Sequence, residues 1–335
     1  MDPITQGTLG AAAALAVFGE RGKLSPALIG WVGALGGMAA DLDVLIRSSS
    51  DPLLAVEYHR HFTHSLTFAP IGGALAALPW LVLKRVRENF RLVLGASVVG
   101  FLTHGPLDAF TTYGTLLFWP WSTQRVALSF ISIVDLVFTI PLLIAVILAA
   151  QRGARTVARW GLLFAAVYLG LGAVQKGRAM DAQARLAERR GHHVERGEVF
   201  PSFMNLVAWR SIYQQHGRYY VDQVRVPFIG KNCTTTGSDL PESPNPHAKG
   251  PVAGRAHRLL RWFANGWVAK DPGDPTVLGD LRYSFLPFEA SPIWGIRVDE
   301  EADKVEWVNN RSKRAIRPAD LRVLIFEDPP GSVCE

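Results

Sequence analysis

Residues 92–110 read LVLGASVVGFLTHGPLDAF, an apolar run that ends in two polar side chains, His104 and Asp108. The scarcity of charge continues beyond this run. Between Leu92 and Ala150 the only Asp, Glu, Lys or Arg residues are Asp108, Arg125 and Asp135. Water-soluble domains rarely lack charge over such a length. We therefore expect the first half of the chain to be embedded in a membrane.

Six apolar stretches can be marked in this half, of which the third, fifth and sixth approach the roughly 20 residues that a helix needs to span a bilayer. They are Ile4–Phe18, Pro26–Ala40, Ser65–Leu83, Leu92–Thr103, Phe130–Ala150 and Val157–Val174. Charged residues become frequent after residue 176. The sequence therefore predicts an α-helical membrane bundle of about six apolar helices over residues 1–175 and a soluble C-terminal domain over residues 176–335.

Four glycines of the second stretch recur at the spacing of neighbours on one helix face. They are Gly30, Gly33, Gly36 and Gly37. Small residues let helix backbones approach closely in membranes, so we expect tight packing here. Local flexibility without a packing role is the alternative.

Lys and Arg residues are distributed unevenly among the connections between apolar stretches. One set of alternate connections holds nine of them, and the other set holds only Arg47, Arg60 and Arg125. Basic residues of short loops stay preferentially on the cytoplasmic side. This count places both termini and the connections 41–64 and 104–128 outside, on the periplasmic side of a bacterial inner membrane. The net charge of +6 thus reflects basic residues in short loops between apolar stretches, and we expect no nucleic-acid partner.

The start of the chain has an apolar run without preceding basic residues, so we do not expect a cleaved signal peptide. After a helical stretch at 176–190, the tail mixes aromatic and β-branched residues with polar ones, which predicts an α+β or mostly β domain. The strand-like segments are Arg218–Phe228, Val277–Phe288, Ile293–Val298 and Lys304–Val308. Residues 230–254 are predicted to form a long loop. Cys233 and Cys334 could form a disulfide or remain two free thiols.

Histidines and aspartates lie at the ends of three apolar stretches. They are Asp41 and Asp43 in AADLD, His59, His61 and His64 in HRHFTHS, and His104 and Asp108 in HGPLD. The topology above places all seven on one side of the membrane. His104 and Asp108 are four residues apart, so a helix brings them onto one face. Asp41 and Asp43, two residues apart, would converge in a turn or an extended segment after a helix that ends at Ala40.

Imidazole and carboxylate together suit a divalent cation, zinc first, with manganese or iron as alternatives, and the absence of sulfur disfavours a purely structural zinc. Arg60 could bind a phosphate group bidentately, or be solvated. Asp135 lies inside an apolar stretch, where an ionisable group is costly. It could pair with Arg125, close the metal site or lie at the water boundary. Whether His61 is a ligand is left open.

At these residues the sequence resembles the membrane-bound metal-dependent hydrolase family described as LexA-regulated inner-membrane hydrolases. The resemblance covers about residues 1–145 and rests on MDPITQGTLGA, GMAADLD, HRHFTHS and HGPLDAFTTYGTLLFWPWS. It implies a metal-dependent hydrolase whose metal ligands are Asp41, Asp43, His59, His64, His104 and Asp108. Family members commonly have His where Gln6 stands, so an N-terminal ligand is either absent or replaced by Asp2. A looser similarity of residue pattern to zinc-dependent phospholipase C and P1-type nucleases favours phosphoester substrates.

The expected function is hydrolysis of a phosphoester of a membrane lipid or lipid-linked substrate, with water activated by the metal and Asp41 or Asp108 accepting the proton. Two other functions fit the sequence. A transporter or ion-conducting protein would use the same residues at mid-depth in the spans. A scaffold with a structural metal would present tryptophans of the tail to a partner, although core packing suits them as well. These tryptophans are Trp262, Trp267 and Trp294.

Overall fold

The computed structural model describes residues 1–20, 23–243, 250–310, 327 and 331–335. The chain forms two compact units. The first consists of Met1–Ile46 and Tyr58–Gly172, and the second of Arg47–Glu57 and Ala173–Glu335. The short segment Arg47–Glu57 therefore belongs to the second unit, although it lies among the membrane-domain motifs in the sequence.

The first half of the chain is helical. Its α-helices are α1 (Pro3–Phe18), α2 (Pro26–Met38), α3 (Leu54–Tyr58), α4 (Ala69–Ala77), α5 (Lys84–Glu88), α6 (Phe90–Ala109), α7 (Leu136–Arg152) and α8 (Arg155–Arg189). Three 3-10 helices stand at Ala39–Leu45, Phe62–His64 and Leu78–Val82. α3 and α8 have residues in both units.

Three helical segments are long and apolar enough to cross a membrane: Pro26–Leu45, Phe90–Ala109 and Arg155–Arg189. A fourth span exists if Leu54–His64 and Ala69–Val82, bent by 91° at their junction, cross as one. α1 and α7 are apolar but have only 16 and 17 residues. Over the described ranges there are thus three or four candidate spans for the six apolar stretches, because two stretches make short helices and a third lies next to a sharp bend.

The helix boundaries follow from local chemistry. Asp2 caps α1 by accepting a hydrogen bond from the Thr5 amide at 3.0 Å, and Pro3 opens the helix. Asp135 caps α7 in the same way, accepting from two backbone amides. Gly153 ends α7 in the left-handed conformation, with φ 62°, which glycine adopts without steric cost.

Close backbone contact joins α1, α2 and α6. A methyl group on Gly100 would lie 2.2 Å from the carbonyl oxygen of Gly33, and one on Gly10 would lie 2.4 Å from the same oxygen. A methyl group on Gly36 would lie 2.5 Å from the carbonyl oxygen of Ser97. No side chain fits at these distances, so the expected tight packing of the α2 glycines is confirmed.

In the part of the second unit that the structure describes, the strands form two antiparallel sheets. Its strands are β1 (Arg196–Pro201), β2 (Ala208–Gln215), β3 (Arg218–Arg225), β4 (Cys233–Pro241), β5 (Val268–Asp271), β6 (Asp274–Asp280), β7 (Trp294–Asp299), β8 (Lys304–Asn309) and β9 (Val333–Cys334). The sheet orders are β1-β2-β3-β4-β9 and β5-β6-β7-β8. Helix α9 (Pro251–Phe263) follows β4 in the chain. The prediction of a C-terminal domain rich in β-sheet is confirmed.

Both faces of the five-stranded sheet are covered. On one face, Trp209 and Val224 pack against Ala179 and Ala182 of α8. On the other, Ile212, Tyr219 and Val221 share a core with Trp267 and Leu281, at the four-stranded sheet. The alternation of buried side chains to opposite faces is the period of two that strands impose.

Two local predictions in this unit are wrong. Residues 230–254, expected to be a loop, contain β4 and the start of α9, because the run Cys233–Thr236 carries β-branched threonines that fit a strand. The strand expected at Val277–Phe288 ends at Asp280. A disulfide joins Cys233 on β4 to Cys334 on β9, so the free-thiol alternative does not hold here.

Candidate metal centre

Three chain segments meet at the candidate centre. The 3-10 helix Ala39–Leu45 extends α2 and carries Asp41 and Asp43, and the 3-10 helix Phe62–His64 ends with His64. His104 and Asp108 lie one turn apart near the end of α6. Both α2 and α6 therefore reach the centre with their C-terminal ends, as the positions of the polar motifs predicted.

Four atoms converge at the centre: Nε2 of His64 and His104, Oδ1 of Asp41 and Oδ2 of Asp108. The two nitrogens are 2.9 Å apart, and each nitrogen lies 3.2–3.4 Å from both oxygens. In a tetrahedral zinc site with bonds of about 2.0–2.1 Å, neighbouring ligand atoms are about 3.3 Å apart. The observed spacing therefore suits a tetrahedrally bound cation.

The outer nitrogens of both imidazoles are occupied. His104 Nδ1 contacts the carbonyl oxygen of Gly37, which can only accept, so this nitrogen carries the proton. Thr63 donates its hydroxyl proton to Asp43 at 3.0 Å and so accepts from His64 Nδ1 at 3.0 Å. When the rings are neutral and both Nδ1 atoms are protonated, each ring directs the lone pair of its Nε2 toward the other. This is the tautomer that binds a metal, and hydrogen-bonded outer nitrogens are usual for metal-ligating histidines.

Asp43 does not face the four-atom cluster but supports it. Its Oδ2 accepts hydrogen bonds from the Arg60 amide at 2.8 Å and from Thr63, and lies 3.3 Å from His64 Nδ1. Its Oδ1 lies 2.8 Å from His59 Nδ1. Asp41, Asp43 and His59 form a second group with the spacing of metal ligands. All six sequence-predicted ligands are thus brought together, in two groups that share Asp41.

Arg60 is buried beside the cluster. Its Nε lies 3.1 Å from Asp108 Oδ2, and its Nη1 donates to the Thr111 hydroxyl at 2.9 Å. The guanidinium stacks 4.7 Å from the ring centre of Tyr113. Its backbone is left-handed, with φ 62°, a conformation costly for a non-glycine residue and frequent at functional sites. In this structure Arg60 therefore binds and positions Asp108, where the sequence suggested phosphate binding or solvation.

The centre is closed on all sides except at Asp41. The side chains of Asp108, His64 and His104 have no exposed surface, whereas that of Asp41 is 21% exposed. Among the described residues, Asp108 Oδ2 accepts no well-aligned hydrogen bond. Arg60 Nε, 3.1 Å away, balances part of the charge of this oxygen without a well-aligned hydrogen bond, so a lone pair remains for a further cation. The residues present therefore fit a divalent cation.

The remaining candidates have other partners. Gln6 is fully buried and donates to Asp108 Oδ1 at 2.8 Å, and the α-amino group of Met1 contacts the same oxygen. Asp2 caps α1 and belongs to neither ligand group. His61, whose ring lies near Trp119, also belongs to neither group. The supporting roles of Gln6 and Thr63 were not predicted, because only spatial proximity reveals them.

Asp135 is also placed outside both groups. It caps α7 and accepts a hydrogen bond from the Tyr168 hydroxyl at 2.9 Å. Its carboxylate is therefore satisfied by the backbone and by a tyrosine. From the sequence alone, three roles were left open for Asp135: an ion pair with Arg125, a place in the metal site or a position at the water boundary.

Apolar spans whose C-terminal ends enclose a buried His/Asp cluster define a multi-span membrane protein with a candidate metal centre. The model of the family YdjM inner membrane protein matches residues 1–179, more than half of the chain, and the chain belongs to that family. Its description names a membrane location and no activity. No curated protein and no solved structure matches the chain. The likeness to zinc-dependent phospholipase C remains one of residue pattern.

Proposed function

We propose that this protein is a membrane-bound metal-dependent hydrolase that cleaves a phosphoester. The observation that carries the proposal is the convergence of four nitrogen and oxygen donors at a centre that is exposed only at Asp41, where water and a substrate could reach a bound cation. Asp41, His64, His104 and Asp108 would hold the cation, and their nitrogen and oxygen atoms suit zinc, or manganese or iron. When bound, the cation supplies Lewis acidity, which makes water a stronger acid and stabilises charge on a phosphoryl oxygen.

The proton is best accepted by His59. The sequence suggested Asp41 or Asp108, but Asp108 is fully buried and already accepts from Gln6. The His59 side chain is 24% exposed, and Asp43 holds its Nδ1 proton at 2.8 Å. This leaves Nε2 free to accept a proton from water and release it to solvent, the arrangement of a carboxylate-oriented general base.

A membrane lipid or lipid-linked phosphoester is the proposed substrate. Asp41, the exposed donor, is followed in its 3-10 helix by three exposed apolar side chains, Leu42, Val44 and Leu45. A polar centre whose rim is apolar suits a substrate with an acyl or polyprenyl tail and an anionic head. The charge count of the loops and the disulfide Cys233–Cys334 both support placing the centre and the tail domain on the periplasmic side.

A structural metal in a non-enzymatic membrane protein is the second candidate. It is favoured by the presence of four protein donors, since catalytic zinc usually keeps one position for water. A partner-binding surface formed by tail-domain tryptophans is not favoured, because Trp267 and Trp294 are buried. A transporter is disfavoured because His104 and Asp108 lie in the last turns of their span.

The test is metal analysis of the full-length protein purified in detergent, followed by phosphate release from vesicles that contain phosphatidic acid. We expect bound divalent metal and turnover in the wild type, and loss of both in His104→Ala. His193→Ala, which removes an exposed histidine of the tail domain, is the matched control and should retain both. Metal binding without turnover on any phosphoester would favour the structural role. Turnover by metal-free protein would contradict the proposal.

A further inference from the structure

The segment Arg47–Glu57 connects two halves of the candidate centre. It follows the 3-10 helix that carries Asp41 and Asp43, and it precedes His59 by one residue. It nevertheless belongs to the second unit, together with the tail domain. The tail domain therefore contacts a piece of chain that leads directly into the centre.

Arg255 of α9 makes the main polar contacts to this segment. Its Nη1 donates to Asp51 Oδ2 at 2.7 Å, and its Nη2 donates to Glu57. Leu53 of the segment is buried and lines a cleft of about 770 Å³ together with Arg255 and Val252. One guanidinium thus holds Asp51, near the middle of the segment, and Glu57, at its end.

Only a few residues separate the Arg255–Glu57 contact from the candidate centre. Glu57 lies in α3, and the next turn of the chain delivers His59 and the Arg60 amide to Asp43. Asp43 in turn orients His64 through Nδ1. A shift of Glu57 would be passed on within two or three residues, because each residue spans at most about 3.6 Å of chain.

We infer that Arg255 is a positioning residue for the metal centre, and that one task of the tail domain is to hold the ligand-bearing loop through Asp51 and Glu57. This inference rests on the proposed function to the extent that the centre binds a cation. It assigns the tail domain a role in the chemistry of the membrane domain. Half-exposed ion pairs contribute little to global stability, so removal of this contact should affect the centre before it affects folding.

The test compares Arg255→Gln with Arg297→Gln in the full-length protein. Arg297 is a close match, because it lies in the same unit, bridges Asp274 and Glu306, and has a side chain 38% exposed against 41% for Arg255. Neither of its partners lies in Arg47–Glu57. Zn²⁺ affinity is measured by competition with a chelator, and the visible spectrum of the Co²⁺-loaded protein reports the ligand geometry.

We expect Arg255→Gln to lower Zn²⁺ affinity about tenfold, the lower end of the effect of residues that support ligands. It should also change the Co²⁺ spectrum, whereas Arg297→Gln should change neither. Arg255→Lys, which keeps the charge, should restore part of the affinity. The double variant Asp51→Asn with Glu57→Gln should match Arg255→Gln and show no further loss when combined with it.

Equal affinities and spectra for the Arg255 and Arg297 variants, both loaded with metal, would overturn this role while leaving the proposed function intact. Failure of the wild type to bind Zn²⁺ or Co²⁺ would overturn both.

Discussion

Nε2 of His64 faces Nε2 of His104 across 2.9 Å, although each imidazole already uses its Nδ1 proton in a hydrogen bond to another group. Two lone pairs at this distance repel unless a positive charge lies between them. Carboxylate oxygens of Asp41 and Asp108 approach the same point. The hydrogen bonds at the two Nδ1 atoms thus direct both Nε2 atoms toward one point, where a cation can bind.

Removal of the cation should destabilise the protein. A ligand that binds only the folded state stabilises it by about 2.7 kcal/mol at a concentration 100-fold above its dissociation constant. We expect a chelator to lower the melting temperature of the wild type in detergent, measured by differential scanning fluorimetry. In His64→Ala the chelator should have no effect. A wild-type melting temperature that is unaffected by chelation would show that the purified protein carries no cation at this centre.

Asp43 should matter for metal affinity without being one of the four converging donors. Asp43→Asn weakens the acceptor for His64 and His59, and we expect a 10- to 100-fold loss of Zn²⁺ affinity, as for other groups that orient ligands. Asp135→Asn is the control, because Asp135 is also a buried aspartate of the same unit but caps α7. Equilibrium dialysis should show that it retains the metal, even if its unfolding temperature falls.

His59 should be needed for turnover more than for metal. If it accepts the proton from water, His59→Ala should lower kcat by about 10²- to 10⁴-fold while the protein still carries metal. His61→Ala changes a neighbouring histidine outside both ligand groups and should keep its kcat. Steady-state kinetics with metal analysis of the same samples separates the two effects. A metal-free His59→Ala protein would reassign His59 as a ligand.

The contact between Gly33 and Gly100 should tolerate no side chain. A methyl group on Gly100 would lie 2.2 Å from the Gly33 carbonyl oxygen, so Gly100→Ala must separate α2 from α6, at a cost of about 1–3 kcal/mol. Gly170→Ala in α8, where no atom lies within 4 Å, should be neutral or stabilising by up to about 1 kcal/mol. Thermal unfolding in detergent measures both, and similar effects of the two substitutions would argue against the helix contact.

Cys233 and Cys334 should be oxidised in the cell. Their disulfide spans 101 residues, and by chain entropy its loss should destabilise the tail domain by up to about 5 kcal/mol. In intact bacteria treated with a maleimide reagent, we expect labelling of these cysteines only after reduction. Labelling without reduction would show that the two thiols are free in the cell and would contradict the disulfide. Cys334→Ser should lower the unfolding temperature of purified protein to that of the reduced wild type.

The proximity of the His and Asp side chains was easier to predict from the sequence than the number of membrane spans. Hard ligands at the ends of apolar stretches are visible as short motifs, and all six were brought together. The number of spans could not be predicted, because hydropathy does not show the 91° bend between Leu54–His64 and Ala69–Val82. The sequence also did not show that Asp41 faces Nε2 of His64 whereas Asp43 faces its Nδ1, since this depends on the 3-10 turn that carries both aspartates.

In the tail domain, the sequence predicted some strands correctly and missed others. Alternating aromatic and β-branched residues indicated β3, β7 and β8, whereas β1, β2 and α9 were missed. In β2 the polar residues Arg210 and Ser211 are buried by tertiary contacts. Arg210, for instance, lies within β2 and donates to three backbone carbonyl oxygens, so its charge gave no hint of burial. Local pattern cannot anticipate such pairing.

The order in which a ribosome delivers the chain has a consequence for how the centre is assembled. Gln6, at the start, donates to Asp108, and the donors in between are spread over three segments. The pocket therefore stays open-sided until residue 108 has been synthesised and its helix has docked. Cation capture accordingly cannot precede the synthesis and docking of this helix, so metal starvation should harm newly made chains while those already matured keep their ion.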